Sequence, residues 1–137
     1  MRDFAGDWNR AIAKATFLCA ECGATAAQVA LLIEEQPICE KDGQASGLII
    51  QAGFFGEWAQ IVRAGALWPV GKALAEGNAA ALYEIDPLWA PFFCPKCLRI
   101  YCREHWRFDL KFDEEWPDWY DETIGTCPQG HERVIDD

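Results

Sequence analysis

Eight of the nine cysteine and histidine residues in this 137-residue chain fall into four close pairs. They are Cys19/Cys22, Cys94/Cys97, Cys102/His105 and Cys127/His131. The pattern reads C-x2-C, 71 residues, C-x2-C, four residues, C-x2-H, 21 residues, C-x3-H. Zinc takes four sulfur or nitrogen ligands in a tetrahedron, and a tight turn with two intervening residues aims two of them at one ion. Four pairs fill two tetrahedra with no ligand left over. The turns CAECG, CPKC and CPQGH carry Gly or Pro where the chain must bend sharply and present backbone amides to sulfur. Any one of these cysteines could be a small buried hydrophobe. Four spaced pairs instead predict two structural Zn2+ ions. A full disulfide scheme would leave one of the seven cysteines unpaired, and a reducing cytosol would not sustain one. Cys39 stands apart from the pairs and reads as structural filler.

Catalytic readings find little support. A catalytic zinc keeps one position open for water, whereas here every pair is used. The zinc-deaminase signature requires Pro before its Cys-x-x-Cys and an upstream His-x-Glu; Phe93 precedes Cys94 and no His lies upstream. His131-Glu132 begins like H-E-x-x-H without the second His. Glu104 reads as a solvated carboxylate rather than a base. A redox role for Cys19-Ala-Glu-Cys22 requires a strand before and a helix after, and the residues before it read as helical. Ser46 is the only serine and lies in no G-x-S-x-G context. The expectation is a non-enzymatic protein.

The stretch FFCPKCLRIYCREHW (92–106) resembles the centre of AN1-type zinc fingers, and its four-residue gap between the second and third pairs also occurs in FYVE and PHD fingers. The resemblance covers about fifteen residues and the order of the pairs. These families are cross-brace, treble-clef folds in which pairs one and three share one zinc and pairs two and four the other. The resemblance therefore implies Cys19, Cys22, Cys102 and His105 on one ion, and Cys94, Cys97, Cys127 and His131 on the second. Sequential pairing, with a four-Cys ribbon site and a mixed site, stays open on spacing alone. The tail GTCPQGHERVIDD is similar to that of uncharacterised bacterial proteins.

The elements that must position these ligands read as follows. Phe4, Trp8, Ile12 and Ala15 recur at helical spacing, predicting an N-terminal helix within residues 1–16. Residues 17–24 form the first zinc knuckle. Residues 25–93 form a strand-and-helix insert, and 94–137 hold the remaining ligands. Within the insert, Val29–Ile33 and Leu48–Ile50 are apolar runs typical of buried strands, joined as a hairpin or strand pair. Trp58, Ile61 and Val62 follow at helical spacing with Gly65 as a stop. Pro69 and Gly71 precede a short helix at Lys72–Glu76, and Ala79–Ile85 is another. Trp106, Phe108, Leu110 and Phe112 alternate with charged residues, predicting a half-buried strand. The fold class is α+β, a small single domain built on two zinc sites.

Composition narrows the partners. Twelve Lys and Arg oppose 22 Asp and Glu, a net charge of −10, which makes nucleic acid an unfavourable partner. No secretory or membrane-spanning stretch is legible, so a cytoplasmic location is expected. The segment Asp113, Glu114, Glu115, Trp116, Trp119, Tyr120, Asp121 and Glu122 interleaves rings with carboxylates. Such a surface suits a basic protein partner, with rings as anchors and acids as steering charges. The alternative is that the rings roof a small metal core. The leading function is a protein-interaction module. Other readings are a ubiquitin-ligase-like or assembly component that recruits an enzyme, and an inhibitor or immunity protein that masks a basic nuclease.

Overall fold

The computed structural model describes residues 3–34, 46–117 and 119–136. Its elements are α1 (Phe4–Arg10), β1 (Ala13–Leu18), β2 (Thr25–Glu34), β3 (Ser46–Ala52), β4 (Trp58–Val62), α2 (Ala64–Ala75), α3 (Ala79–Ile85), β5 (Phe93–Cys94), β6 (Arg99–Ile100), β7 (Arg107–Phe112), β8 (Tyr120–Thr126) and β9 (Glu132–Asp136). Strands β1 to β4 form an antiparallel sheet in chain order; β5–β6 is a short hairpin, and β7–β8–β9 a three-stranded sheet. The result is a small α+β domain.

The continuous apolar runs of β2 and β3 follow from burial on both faces of the first sheet. Ala30, Leu32 and Ile50 face α1, where Phe4 and Trp8 cover them. Val29, Leu31 and Ile49 face the main core with Val70, Leu74 and Leu82 of α2 and α3. That core continues without a break into the C-terminal third. Phe17 of β1 stacks on Phe92 at 4.9 Å, and Phe54 meets both Phe92 and Phe108 edge-on at 6.3 and 6.0 Å.

Several local expectations need correction. The N-terminal helix ends at Arg10, because Ala11 turns to extended geometry and Ile12 bonds to the Leu31 carbonyl at 2.9 Å. Residues 13–18 are strand β1, with Ala13, Ala15 and Phe17 turned inward. Residues 58–62 are strand β4, paired with β3, and not a helix. Gly65 lies inside α2 rather than ending a helix, and α2 runs through both Pro69 and Gly71. Pro69 removes its own amide donor from the helix, and its ring faces the carbonyl four residues back, that of Gly65. The expected boundary at Ala79–Ile85 agrees with α3, where Asn78 caps the helix by accepting from the Ala81 amide at 3.0 Å.

Strand β7 also departs from a half-buried pattern. Phe108 packs against Phe54 and Phe55, but Leu110 and Phe112 are 56% and 51% exposed. The β7–β8 hairpin therefore outruns the core that its first half covers.

Candidate metal centres

Three of the four ligand pairs sit on turns that join adjacent antiparallel strands, and the fourth starts a single 3-10 turn. Cys19 and Cys22 occupy the β1–β2 turn, closed by Cys19 N–H to the Ala24 carbonyl (2.7 Å) and Gly23 N–H to the Cys19 carbonyl (2.9 Å). Gly23 has φ +74°, which favours glycine there. Cys94 and Cys97 sit on the β5–β6 turn, where Leu98 N–H bonds to the Cys94 carbonyl at 2.8 Å. Cys127 and His131 flank the β8–β9 turn, where Gly130 has φ +88°. Cys102 precedes the 3-10 turn Arg103–His105, whose last amide returns to the Cys102 carbonyl at 2.9 Å.

These turns converge in two places. The ligand atoms of Cys19, Cys22, Cys102 and His105 all lie within 4.8 Å of one another, as do those of Cys94, Cys97, Cys127 and His131. In the first cluster the Sγ atoms of Cys22 and Cys102 are 3.7 Å apart, and His105 Nδ1 lies 3.1 Å from Cys102 Sγ and 3.5 Å from Cys19 Sγ. In the second, Cys97 and Cys127 sulfurs are 3.7 Å apart, and His131 Nδ1 lies 3.1, 3.6 and 3.7 Å from Cys97, Cys127 and Cys94. With metal–sulfur bonds of about 2.3 Å and metal–nitrogen bonds of about 2.0–2.1 Å, a tetrahedron has S···S edges of about 3.8 Å and S···N edges of about 3.6 Å. The donor sets thus have the size and composition to hold a tetrahedral metal ion each. The six described cysteines are free thiols, so no disulfide competes for these sulfurs.

The sulfur environments are uneven within each cluster. Burial pushes the Cys19 thiol up, but the amides of Cys102, Cys22 and Glu21 outweigh it and bring it down to about 6. Burial dominates at Cys94 and lifts it to about 11, with the Cys97 and Cys127 side chains adding to the rise. Cys102 is raised mainly by burial, then by Cys22. Cys127 is lowered: burial works against this, and the amides of His131 and Gln129 prevail. Each site therefore joins a thiol whose ionisation is eased to one whose ionisation burial resists, and a cation between them would favour both as thiolates.

The elements around Cys19–Cys22 differ from the expected preceding helix and from the strand–helix setting of a redox Cys-x-x-Cys. A strand, β1, does precede the pair, but β2 and not a helix follows. Cys102 and His105 close on the same two sulfurs. Glu104 is solvent-exposed, and Cys39 lies outside the described residues.

The acidic-aromatic segment forms the β7–β8 turn and the start of β8. Asp113 organises it: its carboxylate accepts from the amides of Glu115 and Trp116 at 2.8 and 3.1 Å, while its own amide donates to the Trp119 carbonyl at 2.9 Å. Trp116 and Trp119 pair with ring centroids 6.3 Å apart and are 62% and 69% exposed. They do not roof the core. Asp113, Glu114, Glu115, Tyr120 and Asp121 are also exposed, whereas Glu122 is half-buried and pairs across from Lys111.

One residue that supports the second cluster escaped sequence reasoning. Arg133, two positions after His131, sends its guanidinium to the carbonyls of Ala90 (2.7 Å), Phe93 (2.8 Å) and Pro87 (2.8 Å) and lies over the Tyr83 ring at 5.0 Å. It fastens β9 to the chain entering β5. No spacing signal marks it, because its targets are main-chain oxygens.

The fold and the paired clusters define a small α+β domain carrying two Cys3His centres. The chain belongs to the family described as domain of unknown function DUF8328, which matches residues 9–137. Neither a curated protein nor a solved structure matches it. Among the described residues, no helix is long and apolar enough to cross a membrane.

Proposed function

We propose that the two clusters are structural zinc centres with interleaved pairing, and that the protein is a non-enzymatic interaction module. The zinc-built core rigidifies the β7–β8 hairpin and presents its acidic-aromatic tip to a basic protein. Bound zinc supplies crosslinks and holds the thiolates; with four protein ligands at each centre, no position is left for a substrate. The observation that carries the reading is the contrast between two four-residue donor sets, each complete in itself, and an exposed tip. Of eleven large hydrophobic side chains exposed among the described residues, five (Leu110, Phe112, Trp116, Trp119 and Tyr120) crowd into this hairpin. Clustered exposed rings flanked by carboxylates are the chemistry of an anchor with steering charge.

Two measurements test it. Elemental analysis of protein purified without added metal should find two zinc ions per chain. Capture from the native source should then compare the parent with a Trp116→Ala, Trp119→Ala double variant that retains its metal. Equal capture of a basic partner by both would refute the assigned surface.

A further inference from the structure

The tip has a feature that a merely apolar anchor does not require. Elsewhere among the described residues three aromatic rings carry an internal cation: Lys14 lies over Trp8 at 5.2 Å, Arg103 over Phe55 at 5.9 Å, and Arg133 over Tyr83 at 5.0 Å. Among the described residues no such cation covers Trp116 or Trp119, although indole is the strongest cation acceptor of the aromatic side chains. The nearest basic residue along the hairpin, Lys111, is engaged by the Asp109 carboxylate at 2.8 Å. The two indoles are held side by side by the Asp113-centred turn, tilted 34° to each other, with most of their surface in solvent. Exposed acidic residues Glu114, Glu115 and Asp121 flank them along the chain. These charges repel phosphate, whether of nucleic acid or an anionic membrane, and attract a cation.

We propose that the Trp116–Trp119 pair receives the cationic side chain of an arginine or lysine, carried on an exposed basic segment of a protein partner, against its indole faces. This rests on the assignment of the hairpin tip as the partner surface and adds what the surface recognises. The guanidinium or ammonium sits on the ring quadrupole while the neighbouring carboxylates neutralise its charge without a fixed ion-pair geometry. An aliphatic side chain of equal size would gain the apolar contact and lose the electrostatic part.

The test uses the full, zinc-loaded chain and a synthetic peptide of alternating arginine and glycine, beside the same peptide with citrulline for arginine. Binding is followed by the indole N–H resonances of Trp116 and Trp119 in the parent, and by calorimetry in the parent and in every variant. We expect saturable shifts of both with the arginine peptide and affinity about two- to fivefold weaker for the citrulline peptide, the scale of an exposed cation–π contact. Trp116→Phe with Trp119→Phe should retain part of the affinity, and Trp116→Leu with Trp119→Leu should retain less. Zinc content and thermal melting confirm that each variant is folded. Absence of indole shifts at millimolar arginine peptide, or equal affinities of the Leu and Phe variants, overturns the cation assignment. If the Leu and Phe variants agree while the double alanine variant loses its native partner, the surface stands and only the cation–π inference falls. If the alanine variant keeps that partner, the surface assignment falls as well.

Discussion

The two Cys3His clusters share a donor set and differ in what they join. The first ties the β1–β2 turn to the segment after β6, across sequence separations of 80 and 86 residues. The second ties the β5–β6 turn to the β8–β9 turn, across 30 to 37. Loop length alone hardly separates them: closing about 80 rather than about 30 residues costs only about 0.9 kcal/mol more. The difference lies in what surrounds each crosslink. The first is attached to a four-stranded sheet with its own buried faces. The second gathers two-residue strands and a turn, which have little core of their own. Identical donor sets would thus serve as a fastener in one place and a scaffold in another.

The largest effect should come from removing both ions. A strong chelator should abolish cooperative thermal unfolding of the C-terminal third, because a structural zinc contributes on the order of 10 kcal/mol, comparable to the whole stability of a domain. Acid should act in the same direction: protons compete with metal for the thiolates, so zinc release, read with a chromogenic chelator, should increase as pH falls.

The comparison sharpens with single ligands. Cys94→Ser should unfold β5 to β9, seen as loss of amide protection there while β2 and β3 stay protected. Cys22→Ser, at the exposed ligand of the first centre, should cost on the order of 3 kcal/mol, the scale of one long-range crosslink, with the fold retained. Equal losses for both variants would break the distinction between scaffold and fastener.

A smaller effect is expected at Arg133. Arg133→Ala leaves three carbonyls without their shared donor and should lower stability by about 2–3 kcal/mol in chemical denaturation. Arg133→Lys should recover only part, since an ammonium cannot reproduce the planar fork. Smallest of all, the Trp116→Ala, Trp119→Ala double variant should change folding stability by no more than about 0.5 kcal/mol, because both rings project into solvent.

The residues of the two clusters were legible in the sequence because a metal-ligand pattern constrains both residue type and spacing. Buried β2 and β3 were legible as unbroken apolar runs, and α3 by its flanking Asn78 and Asp86-Pro87. Strand β1 was not, because Phe4, Trp8, Ile12 and Ala15 fit a helix while the true inward set, Ala13, Ala15 and Phe17, is two-thirds alanine and barely signals. Strand β4 failed for a similar reason: Trp58, Ile61 and Val62 satisfy a helical spacing, and only pairing with β3 decides. Helix α2 hid behind Pro69, which reads as a helix breaker in sequence yet lies inside the helix. The alternation in β7 reported which face is apolar but not how far the core reaches, a quantity set by Phe54 and Phe55 from a distant loop.

The position of the first cluster has a consequence in time. Cys19 and Cys22 leave the ribosome long before Cys102 and His105, and at about 5–20 residues per second the wait is roughly 4–16 s. Strands β1 to β4 can pair during that interval, since their hydrogen bonds need nothing beyond residue 62. The growing chain can then carry paired strands with an open dithiol at one corner. Its most oxidisable moment comes during synthesis, before the later ligands arrive to close the site.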